Sequence, residues 1–371
     1  NPNVLYLQST PMTEPLLFGT TFLAIALVGE WCLSIPNSTI PNSQSTPNAQ
    51  STLNARLPRR PPSRDETPAR FGATAARRSS LAAGWACIAA VLTRYEAFPI
   101  VAAAIGLAFV VLLRRGWQIV PALRAVRGLA LWPLWALAAF LVNSKVSVGA
   151  WFVSGGFFVA ENPALGHPWL AWTQIWEGLS LLAGPVIPWL AVASALALVV
   201  SAFRRNESDR AALIVVLALA GAAALPLYAY YQGHPVRIRY AVPLVAASAA
   251  LIGSGVALLP RRIGAVAGVI IVAFTAWQVR PFDRQAPVVL ESQRDVQNAE
   301  GRRAVTAYLA ANWDGRPIMM SMGSLGHYMH DLSAAGFGIG DFLHEGNGEI
   351  WKYAARHPRP IAEWIAIEER A

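Results

Sequence analysis

Acidic, guanidinium and phenolic side chains gather in three short polar clusters between the apolar runs of this chain. The first, Thr13-Glu14-Pro15, heads one of those runs. A carboxylate there can serve as a base or hold a hydroxyl. It can equally cap the helix: proline suits the first helical position, threonine suits the cap, and the dipole favours an acid nearby. The second cluster, Arg94-Tyr95-Glu96, lies in a tight turn. A mutual Arg–Glu pair would brace that turn, whereas an arginine at the membrane mouth is costly to bury without an anion and would receive a phosphate well. The third runs from Tyr230 to Pro243 and holds His234, Arg237, Arg239 and Tyr240. Snorkelling to lipid headgroups accounts for either arginine singly, less readily for both beside His234. Two guanidiniums matched to a phosphate or pyrophosphate is the sharper reading. Glu14 and Glu96 are therefore the candidate catalytic residues. Arg94, Tyr95, His234, Arg237, Arg239 and Tyr240 are the candidate substrate-binding residues.

These clusters are set by membrane helices. About 20 apolar residues cross about 30 Å of hydrocarbon. The expected spans are Pro15–Ser34, Leu81–Leu92, Phe98–Leu113, Leu129–Val142, Leu181–Phe203, Ala211–Tyr228, Ala241–Leu259 and Ile263–Val279. Leu81–Leu92 is short, and its flanks must extend it. Of 20 basic residues in 1–279, 16 lie in Arg56 to Arg78, Arg114 to Arg127, Arg204 to Arg210 and the pair Arg261 and Arg262. Loops retained in the cytoplasm collect Lys and Arg, so these four stretches share one side. Arg94, Lys145, Arg237 and Arg239 then fall on the other, with all three polar clusters. Eight crossings thread without conflict, placing the clusters and the C-terminal segment outside.

The composition agrees. The chain is 55% hydrophobic and 14% charged, against roughly 25% charged in soluble domains. The net charge of +9 is explained by loop placement, and no basic surface interleaved with aromatics suggests nucleic acid. Cys32 and Cys87 lie inside apolar runs and read as packing residues. Residues 35–78, rich in Pro, Ser, Asn and Thr, are expected to be a disordered cytoplasmic loop. Asn37-Ser38-Thr39 fits a glycosylation sequon, but on that side it would go unused. Beyond residue 279 lie 12 of the 21 acids, and the segment 280–371 alternates strand and helix as a small extracytoplasmic α/β domain would. Helices are expected near Arg302–Asn312, Leu325–Ala335 and Trp351–Ala355, with strands at Pro317–Ser321 and Ala362–Ile367. The turn Gly323-Ser324-Leu325-Gly326 could bind an anion but lacks the full dinucleotide fingerprint. Trp151, Phe152, Phe157, Phe158, Trp169, Trp172 and Trp176, around Glu161-Asn162-Pro163, suit an interfacial belt, or a surface for a prenyl chain or sugar face. No residues have metal-ligand spacing; no cofactor is identified, and a divalent metal is left open.

The runs LYLQSTPMTEPLLF, LTRYEAFP, GGFFVAENP and GHPVRIRYAVPL together resemble integral-membrane glycosyltransferases of the GT-C superfamily. They look most like the branch containing the protein mannosyltransferases and the aminoarabinose transferase of lipid A (glycosyltransferase family 39-like). The resemblance covers the membrane part in order. It implies a polytopic, mainly α bundle in a bacterial inner membrane and a polyprenyl-phosphate-sugar donor. It also implies a lipid, glycan or protein acceptor, a periplasmic active site, and inversion at the anomeric carbon. It matches Glu14 to the second acidic position at the head of a membrane helix, Arg94 and Glu96 to the polar outer turn, and Arg237, Arg239 and Tyr240 to the stretch near donor phosphate. The family's principal catalytic Asp lies in a first large external loop, and this chain has no counterpart. Since the chain begins Asn1-Pro2-Asn3, it is expected to be a fragment lacking upstream helices. The rival class is a transporter or flippase for an anionic lipid-linked substrate, which would place charge near the bilayer midplane. A noncatalytic anchor for the C-terminal segment would leave the clusters unexplained.

Overall fold

The computed structural model describes residues 1–4, 13–36, 66–148, 151, 162–204, 210–280, 282–320, 328–347, 350, 351, 353, 364 and 365. The apolar runs form α1 (Glu14–Ser34), α2 (Glu66–Val91), α3 (Ala97–Arg114), α4 (Ile119–Val148), α5 (Pro168–Ala183) and α6 (Val186–Phe203). A 3-10 helix, Arg210–Ala223, continues into α7 (Ala224–Tyr231), and a 3-10 turn, Ile238–Ala241, leads into α8 (Val242–Val256) and α9 (Arg261–Val279). Among the described residues, seven helical segments are long and apolar enough to cross a bilayer. The protein is a mainly α, polytopic integral membrane bundle.

Small residues let these helices approach closely. On α3, Ala97, Ala104 and Ala108 are buried at helical spacing, and on the facing 3-10 helix so are Ala211, Ala218 and Ala222. At Gly221 an added Cβ would lie 3.0 Å from the Pro99 carbonyl. Cys32 and Cys87 are buried and free in the same core.

Side-chain contacts sort the loops between two ends. At one, Ser34 bonds Ser79 at 3.3 Å, and Arg114 Nε donates to the Ala202 carbonyl at 3.0 Å. Arg115, 8% exposed, donates to the carbonyls of Cys32 and Ile35, closing the end of α1. We call this the basic end. At the other, Thr20 meets Thr93 at 3.4 Å, and the 3-10 helix arrives beside Pro99. This is the carboxylate end, holding Glu14 and the turn at 92–96.

Two expectations are corrected and two are refined. Residues 66–78, read as part of a disordered loop, form the first half of α2, a single helix of 26 residues. Alanine and arginine are strong helix formers, and their run was masked by the Pro/Ser/Asn-rich composition before it; residues 37–65 lie outside the described set. The expected short span Leu81–Leu92 is the apolar second half of that helix, which extends it upstream through Ser79 and Ser80 as expected. The expected span Leu181–Phe203 is broken at Gly184, whose φ of +88° suits glycine, followed by Pro185. Its first residues belong to α5, which lies across the carboxylate end. Gly166 N donates to the Tyr231 carbonyl at 2.9 Å near the start of α5, while Gly184 at its finish packs under Gln278 of α9. Finally, Ala211–Tyr228 is wound as a 3-10 helix over its first 14 residues.

The chain leaves α9 at the carboxylate end and enters α10 (Pro287–Asn312), where the expected helix covered only the second half. Beyond it come β1 (Ile318–Met319), α11 (Met329–Ala334), β2 (Phe342–Leu343) and β3 (Trp364–Ile365). The strands pair in parallel in the order β2-β1-β3, with Ile318 opposite Phe342 and Trp364. Their own small core of Leu309, Ile318, Met320, Leu332, Phe337 and Phe342 is separate from the bundle's. The strand at 342–343 was not foreseen, because two residues carry no period.

Candidate functional site

The turn joining α2 to α3 is closed by Ala97 N to the Arg94 carbonyl, 3.1 Å, and Phe98 N to the Tyr95 carbonyl, 3.0 Å. That closure places the Arg94 side chain over the start of α1. Its Nη1 meets Glu14 Oε1 at 2.7 Å and Thr13 Oγ1 at 3.0 Å. Its Nη2 meets Glu96 Oε1 at 2.7 Å, and Nε reaches Glu96 Oε1 and Oε2 at 3.2 and 3.1 Å. Glu14 and Glu96 side chains are only 3% and 8% exposed, Arg94 21%. Burial alone would lower the pKa of the Arg94 guanidinium, but the hydrogen bond and charge of Glu96 and the charge of Glu14 outweigh it and hold it above its ordinary value.

Of the two readings of Arg94, this geometry contains the ion pair that braces the turn. The guanidinium is turned onto two carboxylates and is already charge-compensated, so the cluster offers acceptors rather than an anion hole. Thr13, expected to cap α1, makes no side-chain cap bond and accepts from Arg94 instead. Glu14 Oε2 is shielded from solvent and has no hydrogen-bond partner. Tyr95, 40% exposed, sets its ring edgewise against Phe98 and Phe140.

The third cluster is built at the same end. Gly233, at φ +92°, ends the helical turn of α7, and His234 N donates back to the Ala229 carbonyl at 2.9 Å. Tyr230, buried, donates its hydroxyl to the Arg237 carbonyl at 3.1 Å. His234 Nδ1 donates to the Pro235 carbonyl at 2.6 Å, and its ring meets Tyr240 edgewise at 5.5 Å. Arg239 lies 5.5 Å from the Tyr240 ring centroid, within cation–π range. Arg237 is exposed and Arg239 half-buried. The Arg239 Nε is shielded and unpartnered.

A residue pair that the sequence did not reveal ties this loop to α5. Asn162 and Gln174 exchange both amide bonds, at 2.9 and 2.7 Å, and Asn162 Nδ2 also donates to the His234 carbonyl at 2.8 Å. Asn162 is 5% exposed. Twelve residues separate the partners across a loop and a helix, a spacing without a sequence signature. Of the expected belt, Trp169 and Trp172 are exposed on α5, and Trp176 packs edgewise on Trp189 at 4.9 Å. Phe152, Phe157, Phe158, Glu161 and the turn 323–326 lie outside the described residues.

Structure thus brings Glu14, Arg94 and Glu96 into direct contact and stacks His234, Arg239 and Tyr240 at the same end of the bundle. Among the described residues, no three His, Cys, Asp or Glu side chains converge as a metal would require. Comparisons with family models, with curated proteins and with solved structures found no match to this chain.

Proposed function

We propose that this protein is a membrane glycosyltransferase that moves a sugar from a polyprenyl-phosphate donor to a lipid, glycan or protein acceptor, with inversion, on the periplasmic face of a bacterial inner membrane. The observation that carries this reading is the buried Glu14–Arg94–Glu96 cluster, with one Glu14 oxygen unengaged, at the same end as the Arg237–Tyr240 loop. Inverting transfer needs a carboxylate to accept the acceptor hydroxyl's proton as the oxygen attacks the anomeric carbon. It also needs fixed positive charge where the prenyl phosphate departs, and no proton for that leaving group. With no counterpart here to the family's principal Asp, we assign the first role to Glu14, held in place by Arg94 and Glu96. Arg237 and Arg239 supply the second, being charged at any workable pH. The GT-C-like runs of the sequence support the same chemistry. The buried carboxylates lie at one end of the bundle and Glu30 is exposed toward the other, which favours transfer over alternating-access transport.

The test is turnover of a radiolabelled polyprenyl-phosphate sugar by the protein in detergent or nanodiscs. Transfer that falls in Glu14→Gln and in Arg239→Ala, with unfolding temperatures unchanged, is the expected result. Wild-type turnover in both variants would remove the assignment.

A further inference from the structure

One face of α4 is left open by the bundle. Gly128, Trp132, Ala136, Ala139 and Asn143 line it at steps of three or four residues, over about 22 Å at the helical rise. Opposite stand Ile88 of α2 and Leu92 just beyond it, and the two walls enclose a groove of about 810 Å³. Two contacts fix those walls. Gly84 lets the Trp132 ring lie on α2, where an added Cβ would come within 2.7 Å of it, and Trp132 meets the Trp85 ring at 5.6 Å. Toward the carboxylate end, Phe140 sets its ring edgewise on Tyr95 at 6.0 Å. Asn143, about one turn past Phe140, brings an amide to the same end. The groove therefore runs up to the Arg94-Tyr95-Glu96 turn, whose arginine holds Glu14 at 2.7 Å.

The walls select an amphipathic occupant. Lipid tails are as apolar as these side chains, so nothing drives the two helices together to close the gap. Only 17% of the membrane stretch of α4 is buried, and Leu131 and Trp135 stand exposed at the rim. That bulky rim holds a second helix away, since close helix pairing in a bilayer needs small residues. A long alkyl or isoprenoid chain fits instead, with its polar head at the Asn143 end. We propose that the groove holds the chain of the acceptor, a membrane lipid with a hydroxylated head, and so sets that head beside the carboxylate cluster. This rests on the sugar-transfer reading and selects lipid from its three acceptor classes. In the transfer, the head's hydroxyl gives its proton to the carboxylate cluster while its oxygen bonds the anomeric carbon. The bond from that carbon to the prenyl phosphate breaks, and its electron pair leaves with the phosphate.

The probe is hexadecanol carrying a mid-chain diazirine, photolysed with the full chain in nanodiscs and mapped by mass spectrometry. α9, of which only 6% is buried, reports contact with bulk lipid. Labelling of the 128–143 face is expected to saturate and to be displaced by excess plain hexadecanol, whereas labelling of α9 rises in proportion to dose. Ala139→Trp fills the groove from an exposed position and should lose the saturable component. Leu134→Trp, which does not line the groove and is 56% exposed, should keep it. Proportional labelling of both helices in wild type, an unchanged saturable component in Ala139→Trp, or its loss in both variants overturns the groove. Undecaprenyl phosphate bearing glucose, mannose or arabinose then serves as donor, and sugar is expected on the hexadecanol with wild type but not with Ala139→Trp. Turnover that leaves the alcohol bare overturns the acceptor role alone. Turnover of none of the three donors overturns the sugar-transfer reading, and the acceptor role with it.

Discussion

Two arginine-bearing segments stand at one end of this bundle, and their environments differ. Arg94 is enclosed: two carboxylates and a threonine hydroxyl take its guanidinium at 2.7 to 3.2 Å. Arg239 is half-buried: it rests on the Tyr240 ring, and its shielded Nε has no hydrogen-bond partner. Residue type and membrane position are the same in both. What differs is the neighbour: the head of α1 brings a carboxylate to Arg94, whereas Arg239 lies against the ring of the next residue, Tyr240. The lesson is that a guanidinium at the bundle mouth can be a strut or a receptor. Only its counter-charges distinguish the two roles.

The largest effect expected from that contrast is on folding. Arg94→Ala strands two buried carboxylates side by side, and breaking a buried ion pair from one partner costs about 3–5 kcal/mol. With a fifth of Arg94 exposed, the lower figure is expected in a detergent unfolding titration. A loss below about 1 kcal/mol, the range of exposed pairs, would dissolve the contrast. The pairing itself should not titrate on the arginine side. A raised guanidinium pKa contributes stability that is complete below the ordinary arginine range and is lost only as pH rises through the shifted value.

Glu14→Gln tests chemistry on the same cluster. Removing a general base lowers rates by about 10²–10⁴-fold, and single-turnover transfer should fall by roughly the smaller factor, because Glu96 remains. Should the variant turn over normally, Glu14 is a helix-capping and bracing residue only. Arg239→Ala should weaken donor binding about tenfold or more, as loss of a charged hydrogen bond does, with unfolding nearly unchanged. If the protein unfolds as readily as Arg94→Ala, Arg239 is a strut after all. The smallest effect belongs to Tyr240→Leu, which removes a cation–π contact of about 0.5–1 kcal/mol at a partly exposed site. Equal donor affinity in Tyr240→Leu and wild type would mean that the ring does not orient Arg239.

Much of the membrane part was legible in the residues. Apolar runs of sufficient length, with Pro15, Pro168 and Pro243 at helix starts, announce α-helices because the bilayer leaves few other ways to satisfy the backbone. Charge alternation separated the basic end from the carboxylate end, and the contacts of Arg114, Arg115 and Thr93 agree with that division. The clusters around Glu14, Arg94 and His234 stood out as polar residues among apolar neighbours. Less legible were α5, whose run merged with α6 until Gly184 and Pro185 divided them, and the helical half of α2, hidden by averaged composition.

By itself, then, the sequence determined that this chain is a helical membrane protein with ionisable groups collected at helix mouths, since hydropathy and loop charge are local quantities. The tertiary structure alone decided that Arg94 also reaches Glu14, and that Asn162 and Gln174 fasten α5 to the His234 loop. Those partnerships join positions 80 and 12 residues apart along the chain. A side chain's electrostatic role depends on which charges surround it in space, and helix packing supplies that information where spacing along the chain does not.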